Sequence, residues 1–480
     1  MKNLGGMHFV GKNEFDVTVV GAGLAGLSAA ETLATNGLSV LILDENPHTG
    51  GQLLRKPAGK KRSFEPDSLK RRGFGLIDRV RRSGAEILQG AQVLGLFPDR
   101  ELLVEREGRA LEVRAEAVLL ATGARETVLP FPGWTLPGVM TTGAAQILMK
   151  SAGVLPAREM LIAGTSPLMW PVAAGILLNG GRVRAVLDGS DFRKKRSLLP
   201  GMWRHPEKLF EGLWYGARLL RAGVPVRQGV CIVEARGASG LESVVVSKTD
   251  GEGRPVSGTE TVHRIGCLAI GNGFAPNTEL ARSAGCGMVW VGVGDGWVVQ
   301  VDDAMETTLE GVFAAGEITG IAGGKKSFIE GRMAGWSILR RRGEISEGEY
   351  ERRMAPLRRE RAGQIGWGRT LHQICRLPQG AWRSIPDRTV VCRCEDVTAG
   401  DLRRRIVQGF DTFGSLKKAI RCGMGMCQGR TCGPILMEML AAAGGRVPPP
   451  DGPVSVRVPV KPVRLSALAG REAGRDTDRC

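Results

Sequence analysis

One short stretch limits the fold of this chain more than any other: Gly21-Ala22-Gly23-Leu24-Ala25-Gly26, a G-x-G-x-x-G pattern. It follows a β-branched run, Asp16 to Val20, and opens a segment of helical periodicity, Leu24 to Thr35. A second apolar run, Leu38 to Leu43, comes next, closed by Asp44 and Glu45. Each part has a physical task. Gly21 permits the tight turn, Gly23 lets a pyrophosphate approach the backbone, and Gly26 lets helix and strand pack closely. The helix start offers free N–H groups and a positive dipole end to phosphate. Asp44 or Glu45, about 20 residues on, can accept from ribose hydroxyls. The glycine pattern alone is weak evidence. With strand, helix and acid in register it marks a dinucleotide-binding βαβ unit.

The same plan recurs further along. Met160 to Leu178 has 19 uncharged residues, the length of a membrane span. Gly164, Thr165, Ser166, Pro167 and Pro171 break it, so a buried strand, turn and helix start is the better reading, with a strand ending at Asp188. Here Ser166 and Met169 stand where the second and third glycines belong, and Pro167 removes an N–H that a phosphate could use. This second unit is expected to keep the fold with an impaired nicotinamide site, leaving a different nucleotide, a second flavin or no ligand. Residues 190–222 read as inserted helices, Val226 to Val233 and Leu241 to Lys248 as strands, and Lys325 to Arg340 as a helix. The fold class is therefore α/β, with two Rossmann-like domains, the second inserted in the first, and a small C-terminal helical module. The boundaries are 14–128 with 265–342 for the first domain and 129–264 for the insertion. A connector spans 343–385, the module 386–445, and an extended tail 446–480. Neither connector nor tail is expected to pack a core of its own.

Composition excludes some functions. The net charge is +17, mostly from Arg, with dense runs at Arg193 to Arg196, Arg340 to Arg342 and Arg352 to Arg361. No aromatic residues alternate with them, so solvated helix faces or a subunit interface is favoured over nucleic-acid binding. Having only five His argues against a multi-histidine mechanism, and no C-x-x-C occurs, which removes disulfide-reductase chemistry. Met1 to Phe15 lacks the apolar stretch of a signal peptide. A cytoplasmic location follows, free or peripheral to a membrane.

Five of the ten cysteines crowd between Cys392 and Cys432. Cys392-Arg393-Cys394 is followed by Cys427 and Cys432 in a C-x-C…C-x4-C spacing. Four thiolates are what a [2Fe–2S] centre needs, and a structural zinc is the rival. Zinc sites favour C-x2–4-C knuckles, for which the C-x-C pair is too tight. Thr398 to Asp401 reads as a capping box, and Cys432 sits at a helix start, where its thiolate is favoured. Cys422 reads as a bystander.

These residues resemble a known family. Cys392 to Val397 and Gly423 to Cys432 look like the bacterioferritin-associated-ferredoxin-type [2Fe–2S] domain. Pro130 to Met140 and the tail Ser455 to Leu465 resemble the FAD-binding α subunits of multisubunit amine and amino-acid dehydrogenases. These are the opine oxidase, hydrogen cyanide synthase and dye-linked proline or hydroxyproline dehydrogenase types. Thr308 to Glu317 resembles the second FAD motif of such flavoproteins, with Glu317 after Gly316 where Asp is usual. Thr122-Gly123 and Gly271 to Asn277 resemble their crossing segments, and Gly50-Gly51-Gln52 a loop beside the flavin ring. The resemblance implies FAD held by Gly21, Gly23, Gly26, Asp44 or Glu45, Gly51, Gln52, Thr122, Gly123, Gly316 and Glu317. It implies a [2Fe–2S] cluster on Cys392, Cys394, Cys427 and Cys432. It further implies a second flavoprotein subunit (β) that oxidises the amine, and an external electron acceptor. No catalytic acid or base stands out in this chain. An NAD(P)H-dependent flavin reductase acting alone is the alternative.

Overall fold

The first sheet is built from β1 (Glu14–Val20), β2 (Val40–Asp44), β3 (Glu86–Gln89), β4 (Gln92–Leu96), β5 (Glu101–Arg106) and β6 (Arg109–Leu120). The computed structural model describes residues 14–55, 68–190, 206–292, 296–448 and 452–469. The strand order is β3-β2-β1-β6-β5-β4, and Val312–Ala314 pairs with β6. The part β3-β2-β1-β6 is parallel, as is the Val312–Ala314 pairing. Every residue of β2 is buried, as expected for a strand covered on both faces. One face packs on α1 (Leu24–Ala34) and the helix Gly324–Arg341 through Val19, Leu27, Ile42, Phe313 and Ile338. The two helices touch so closely that a Cβ at Gly331 would lie 2.0 Å from the Ala25 carbonyl oxygen.

The second sheet orders Val226–Gln228, Arg182–Asp188, Glu159–Gly164, Leu268–Gly271 and Val139–Thr141. It takes in Leu268–Gly271, past residue 264, because that strand registers Leu268 with Leu161 on one side and Val139 on the other. A short apolar strand buried on both faces suits either sheet, and sequence alone does not choose between them. The uncharged run from Met160 resolves into the strand Glu159–Gly164 and the helix Met169–Leu178. Among the described residues no helix is long and apolar enough to cross a membrane. The basic run Arg193 to Arg196 and the first part of the inserted helices lie outside the described residues; the helix Pro206–Arg221 is within them.

The connector packs no separate core but joins that of the first domain. It forms a 29-residue helix, Glu347–Cys375, capped by Ser346, whose hydroxyl accepts from the Glu349 N–H. Tyr350, Met354 and Leu357, at helical spacing, enter the core of the first domain. Three of its Arg residues are ion-paired: Arg353 with Glu349, Arg358 with Glu351, Arg361 with Glu330. The tail is also anchored, with Val460 and Ala467 buried and the Val460 N–H donating to the Leu94 carbonyl at 2.8 Å.

The C-terminal module has a small hairpin, Val390–Cys392 with Val397–Thr398, and helices Ala399–Val407, Phe413–Ile420 and Cys432–Ala442. Thr398 and Asp401 form the expected capping box. The module shares a core with the inserted domain, where the Trp134 Nε1–H donates to the Val390 carbonyl at 2.7 Å.

Candidate cofactor sites

The predicted dinucleotide residues gather at one edge. The Gly21 turn follows β1, Asp44 ends β2, Thr122 follows β6, and Glu317 follows Val312–Ala314. All lie at the carboxyl ends of neighbouring parallel strands, where open α/β sheets bind ligands. The three glycines differ in what they meet. A Cβ at Gly21 would lie 2.3 Å from the Ala121 carbonyl oxygen, and one at Gly26 would lie 1.9 Å from that of Gly21. A Cβ at Gly23 would meet nothing within 4 Å. Two glycines thus hold the turn against its scaffold, and the third faces an open cradle at a helix start that has no side-chain cap. This is the shape a pyrophosphate needs.

Asp44 is buried and braces that cradle. Its carboxylate accepts from the Ala22 N–H at 2.7 Å and, through its other oxygen, from the Asn46 N–H at 2.7 Å. Glu45 is ion-paired with Lys461 of the tail. Burial pulls the Lys461 ammonium below its usual range, against the pull of Asp44. The tail therefore closes over the end of the cradle at Asp44 and Glu45, a contact the sequence did not suggest. The loop Gly50-Gly51-Gln52 lies across the turn: the Gly50 N–H donates to the Ala22 carbonyl, and a Cβ at Gly51 would lie 2.9 Å from Gly23 Cα. Gln52 itself is exposed.

The loop Gly316 to Gly323 is held from below. Glu317 accepts from the Gly323 N–H at 2.8 Å, and burial raises its carboxyl above the usual range. Beneath it, Lys326 Nζ donates to the carbonyls of Gly316 and Gly320, and pairs with Glu330 at 2.9 Å. Glu330 accepts from the Gly316 N–H and from Arg361 of the connector helix. Both Lys326 and Glu330 are fully buried with their partners satisfied. Burial alone would raise the Glu330 carboxyl, but Lys326 and Arg361 together hold it below the usual range.

The second turn is closed. The Thr165 and Ser166 N–H groups both donate to the Gly271 carbonyl, at 2.9 and 3.0 Å. Ser166 Oγ accepts from the Leu168 N–H, and Ser166 and Met169 are buried.

The cysteine module draws its sulfurs together. Cys392, Cys422 and Cys432 are buried, with sulfurs within 4.8 Å of one another. Cys427 lies within hydrogen-bond reach of Cys432 and of Cys394. Hydrogen bonding from Cys432, against burial and with help from backbone N–H groups of Gly423, Glu395 and Cys394, brings the Cys392 thiol down to about 5. The Cys432 bond, against burial and with the Thr431 and Gly429 N–H groups, brings Cys427 down to about 4. No disulfide links the described cysteines. The donor set, thiols backed by backbone N–H groups, fits a thiolate-ligated metal centre. Close approach is built in: a Cβ at Gly425 would lie 2.2 Å from Cys394 Cβ. Cys422 is no bystander in space, although its spacing sets it apart.

One contact joins the two sites. Arg125, just after Thr122-Gly123, donates through Nε to the Arg430 carbonyl at 3.0 Å, and Arg430 lies between Cys427 and Cys432. Arg125 also donates to Asn277 Oδ1, while Thr122 Oγ1 donates to the Asn277 carbonyl. Buried Glu279 sits against Arg125 at 2.9 Å and Arg282 at 3.6 Å. Arg430 in turn reaches the Val460 carbonyl of the tail.

The pyridine nucleotide-disulphide oxidoreductase family matches residues 15–160 and 212–338, and the sarcosine oxidase A3 domain matches 386–471. The A chain of opine oxidase from Rhizobium meliloti is 33% identical over 95% of this chain and 87% of its own. The HcnB subunit of hydrogen cyanide synthase from Pseudomonas aeruginosa is 33% identical over 94% of this chain and 97% of its own. The chain belongs to this family of oxidoreductase subunits. The alpha subunit of sarcosine oxidase from Corynebacterium sp. is 27% identical over 96% of the chain, which spans 46% of that longer relative. The crystal structure of L-proline dehydrogenase from P. horikoshii superposes with a TM-score of 0.67 at 19% identity, covering 95% of this chain and 79% of that one. That likeness is one of fold. Membership makes the chain an FAD-binding subunit of a multisubunit oxidoreductase.

Proposed function

We propose that this chain is the electron-transfer subunit of an amine or amino-acid dehydrogenase, with FAD in the first domain and a [2Fe–2S] cluster on Cys392, Cys394, Cys427 and Cys432. The observation that carries the reading is the Arg125–Arg430 hydrogen bond. It ties the segment beside the flavin to the loop that bears two of the four thiols. FAD supplies two-electron redox chemistry and the cluster one-electron chemistry when bound, and the protein positions and tunes both. Gly23 and the start of α1 receive the pyrophosphate. Asp44 holds the turn, and Glu317 faces the flavin side. Arg430, beside Cys427, places positive charge next to the thiolates.

The amine is oxidised in a second flavoprotein subunit; the opine oxidase and sarcosine oxidase relatives are named as single subunits, which implies others beside them. Electrons then pass through this chain to an external acceptor. No residue set in the described part of this chain is arranged to bind and deprotonate an amine.

The test is compositional. Purified protein is expected to release FAD on denaturation and to hold about two irons and two acid-labile sulfides per chain. Stoichiometric zinc without sulfide refutes the cluster. Expressed alone, the chain should show no dehydrogenase activity with proline, sarcosine or opines and an artificial dye. Full activity from the single chain refutes the division of labour.

A further inference from the structure

Carboxylates satisfy only half of a ribose. Each of its hydroxyls donates one hydrogen bond and can also accept. At the end of the cradle Asp44 Oδ1 accepts twice, from the Asn46 N–H and Nδ2–H. Asp44 Oδ2 accepts once, from the Ala22 N–H, and keeps a lone pair. Glu45 stands exposed beside it. Both side chains can take a proton from a diol, and as carboxylates neither can give one. The donor comes from the far end of the chain, where Lys461 of the tail pairs with Glu45.

The tail does not need that pair to stay in place. Val460 is 2% exposed, in the core that holds Leu43 and Leu96. Its N–H donates to the Leu94 carbonyl at 2.8 Å, and its own carbonyl accepts from Arg430. The Pro459 carbonyl accepts from Gln428 Nε2 at 3.2 Å. One residue further back, Val458 passes over Gly95, where a Cβ would lie 2.9 Å from Val458 Cγ1. The backbone is thus fixed immediately before Lys461. The pair also adds little to the fold, because the Lys461 and Glu45 side chains are 30% and 52% exposed. An ammonium carries three N–H donors, more than one carboxylate oxygen takes. A seated cation with donors to spare, beside two acids at the end of a cradle, has the chemistry of a diol site.

We propose that Lys461 completes the ribose end of the dinucleotide cradle. Its ammonium donates to the ribose hydroxyl oxygens, whose own protons go to Asp44 and Glu45. The inference rests on the FAD reading above.

The experiment compares wild type, Lys461→Met, Lys461→Arg and Gly95→Ala as flavin-depleted full chains. Each is titrated with FAD and with an FAD analogue whose adenosine lacks both ribose hydroxyls, followed by flavin fluorescence. Lys461→Met should weaken FAD binding roughly tenfold, the size of one hydrogen bond to a charged group. It should leave the affinity for the analogue unchanged. Lys461→Arg keeps a cationic donor and should recover part of the loss. Gly95→Ala crowds Val458 with Lys461 intact, and should narrow the gap between FAD and analogue in the same way. Equal losses for FAD and analogue in Lys461→Met mean that the residue acts through the fold, and overturn the proposal. No loss for either overturns it too. If Lys461→Met does not fold, the same two outcomes are read from Gly95→Ala. A wild type that binds ADP but not FAD refutes the flavin reading alone, and the comparison is then made with ADP and dideoxy-ADP by calorimetry. One that binds neither overturns both.

Discussion

The chain makes a strand, a turn and a helix twice, and the two turns end in opposite states. In the first, two glycines press against backbone while Gly23 borders open space. In the second, the corresponding donors are consumed. Thr165 and Ser166 both donate to Gly271, Pro167 has no N–H, and the Leu168 and Met169 N–H groups turn back to Ser166. Gly164 alone keeps its role, at φ 139° and with a Cβ position 1.9 Å from the Gly271 carbonyl oxygen. The fold therefore needs the first glycine of the pattern for strand packing in both units. Only a bound phosphate needs the second. A turn can lose its ligand and keep its shape, because a serine hydroxyl and a neighbouring carbonyl replace the anion as hydrogen-bond partners.

The largest expected effect breaks the first turn. In Gly26→Ala the added methyl meets the Gly21 carbonyl oxygen at 1.9 Å and Val19 Cγ1 at 3.0 Å, and neither is the free end of a flexible chain. Overpacking of this kind costs about 1–3 kcal/mol, and here it falls on the cradle itself. The purified variant should lose most of its FAD, measured by flavin absorbance after gel filtration. In the second unit Met169 already fills the third position; at a glycine further along its helix, Gly175→Ala meets only Met149 Cε at 3.5 Å and should leave flavin content unchanged. Equal loss in both would show that the turns do not differ as described.

What is legible in the sequence divides along the same line. The first turn and the capping box are local patterns with fixed spacings, and local geometry decides them. The contact between Arg125 and Arg430 spans 305 residues and leaves no periodic trace. Cys422 falls outside the motif because spacing ranks cysteines along the chain, while the approach of two helix ends decides which sulfurs touch. The connector does carry a signal. Tyr350, Met354 and Leu357 stand at i, i+4 and i+7, but the surrounding Arg residues hide so narrow an apolar stripe. The strand Leu268–Gly271 has no alternation to orient it, so its place in the second sheet is decided only by its neighbours in space.

A second contrast lies in two carboxyls away from bulk water. Glu330 of the first domain is buried and ionised between Lys326 and Arg361, whereas Glu126, beside the second, is half-buried against the start of the helix Thr142–Ile147. Glu126 accepts from the Thr142 hydroxyl and from the Gly143 N–H at 2.6 Å. Glu330→Gln leaves two buried cations without an anion and should cost about 3–5 kcal/mol. Glu126→Gln keeps an acceptor and should cost about 1 kcal/mol, as for a weakened cap. Their pH dependence has opposite signs. The Glu330 carboxyl is held below 4.5, so its contribution is present above that value and is lost as pH falls through the lower folded one. Burial raises the Glu126 carboxyl above 4.5 despite its hydrogen bonds, so its contribution is present below 4.5 and is lost as pH rises through the higher folded value. Thermal midpoints measured against pH should show a flatter acid limb in Glu330→Gln and a smaller loss above 4.5 in Glu126→Gln. The same limb affected in both variants would remove the contrast.

The smallest expected effect is at the second turn. NADH and NADPH should bleach the wild-type flavin slowly or not at all, because a phosphate arriving at Gly164 finds its donors occupied. Ser166→Gly restores the glycine of the pattern and is the natural attempt to reopen the site. It should fail. The change releases one N–H, that of Leu168, from the serine hydroxyl, while Thr165 and residue 166 keep their bonds to the Gly271 carbonyl and Pro167 still offers nothing. One recovered hydrogen bond to a charged group contributes about 1.5–3 kcal/mol, but the dinucleotide must also displace two existing bonds, each worth about 0.5–1.5 kcal/mol net. The gain and the loss nearly cancel, so the rate of anaerobic flavin bleaching by NADH should change by only a few-fold (about 1 kcal/mol). Rapid, stoichiometric bleaching of the wild type by either nucleotide would show that the second turn opens in solution, and would favour a reductase that works without a partner.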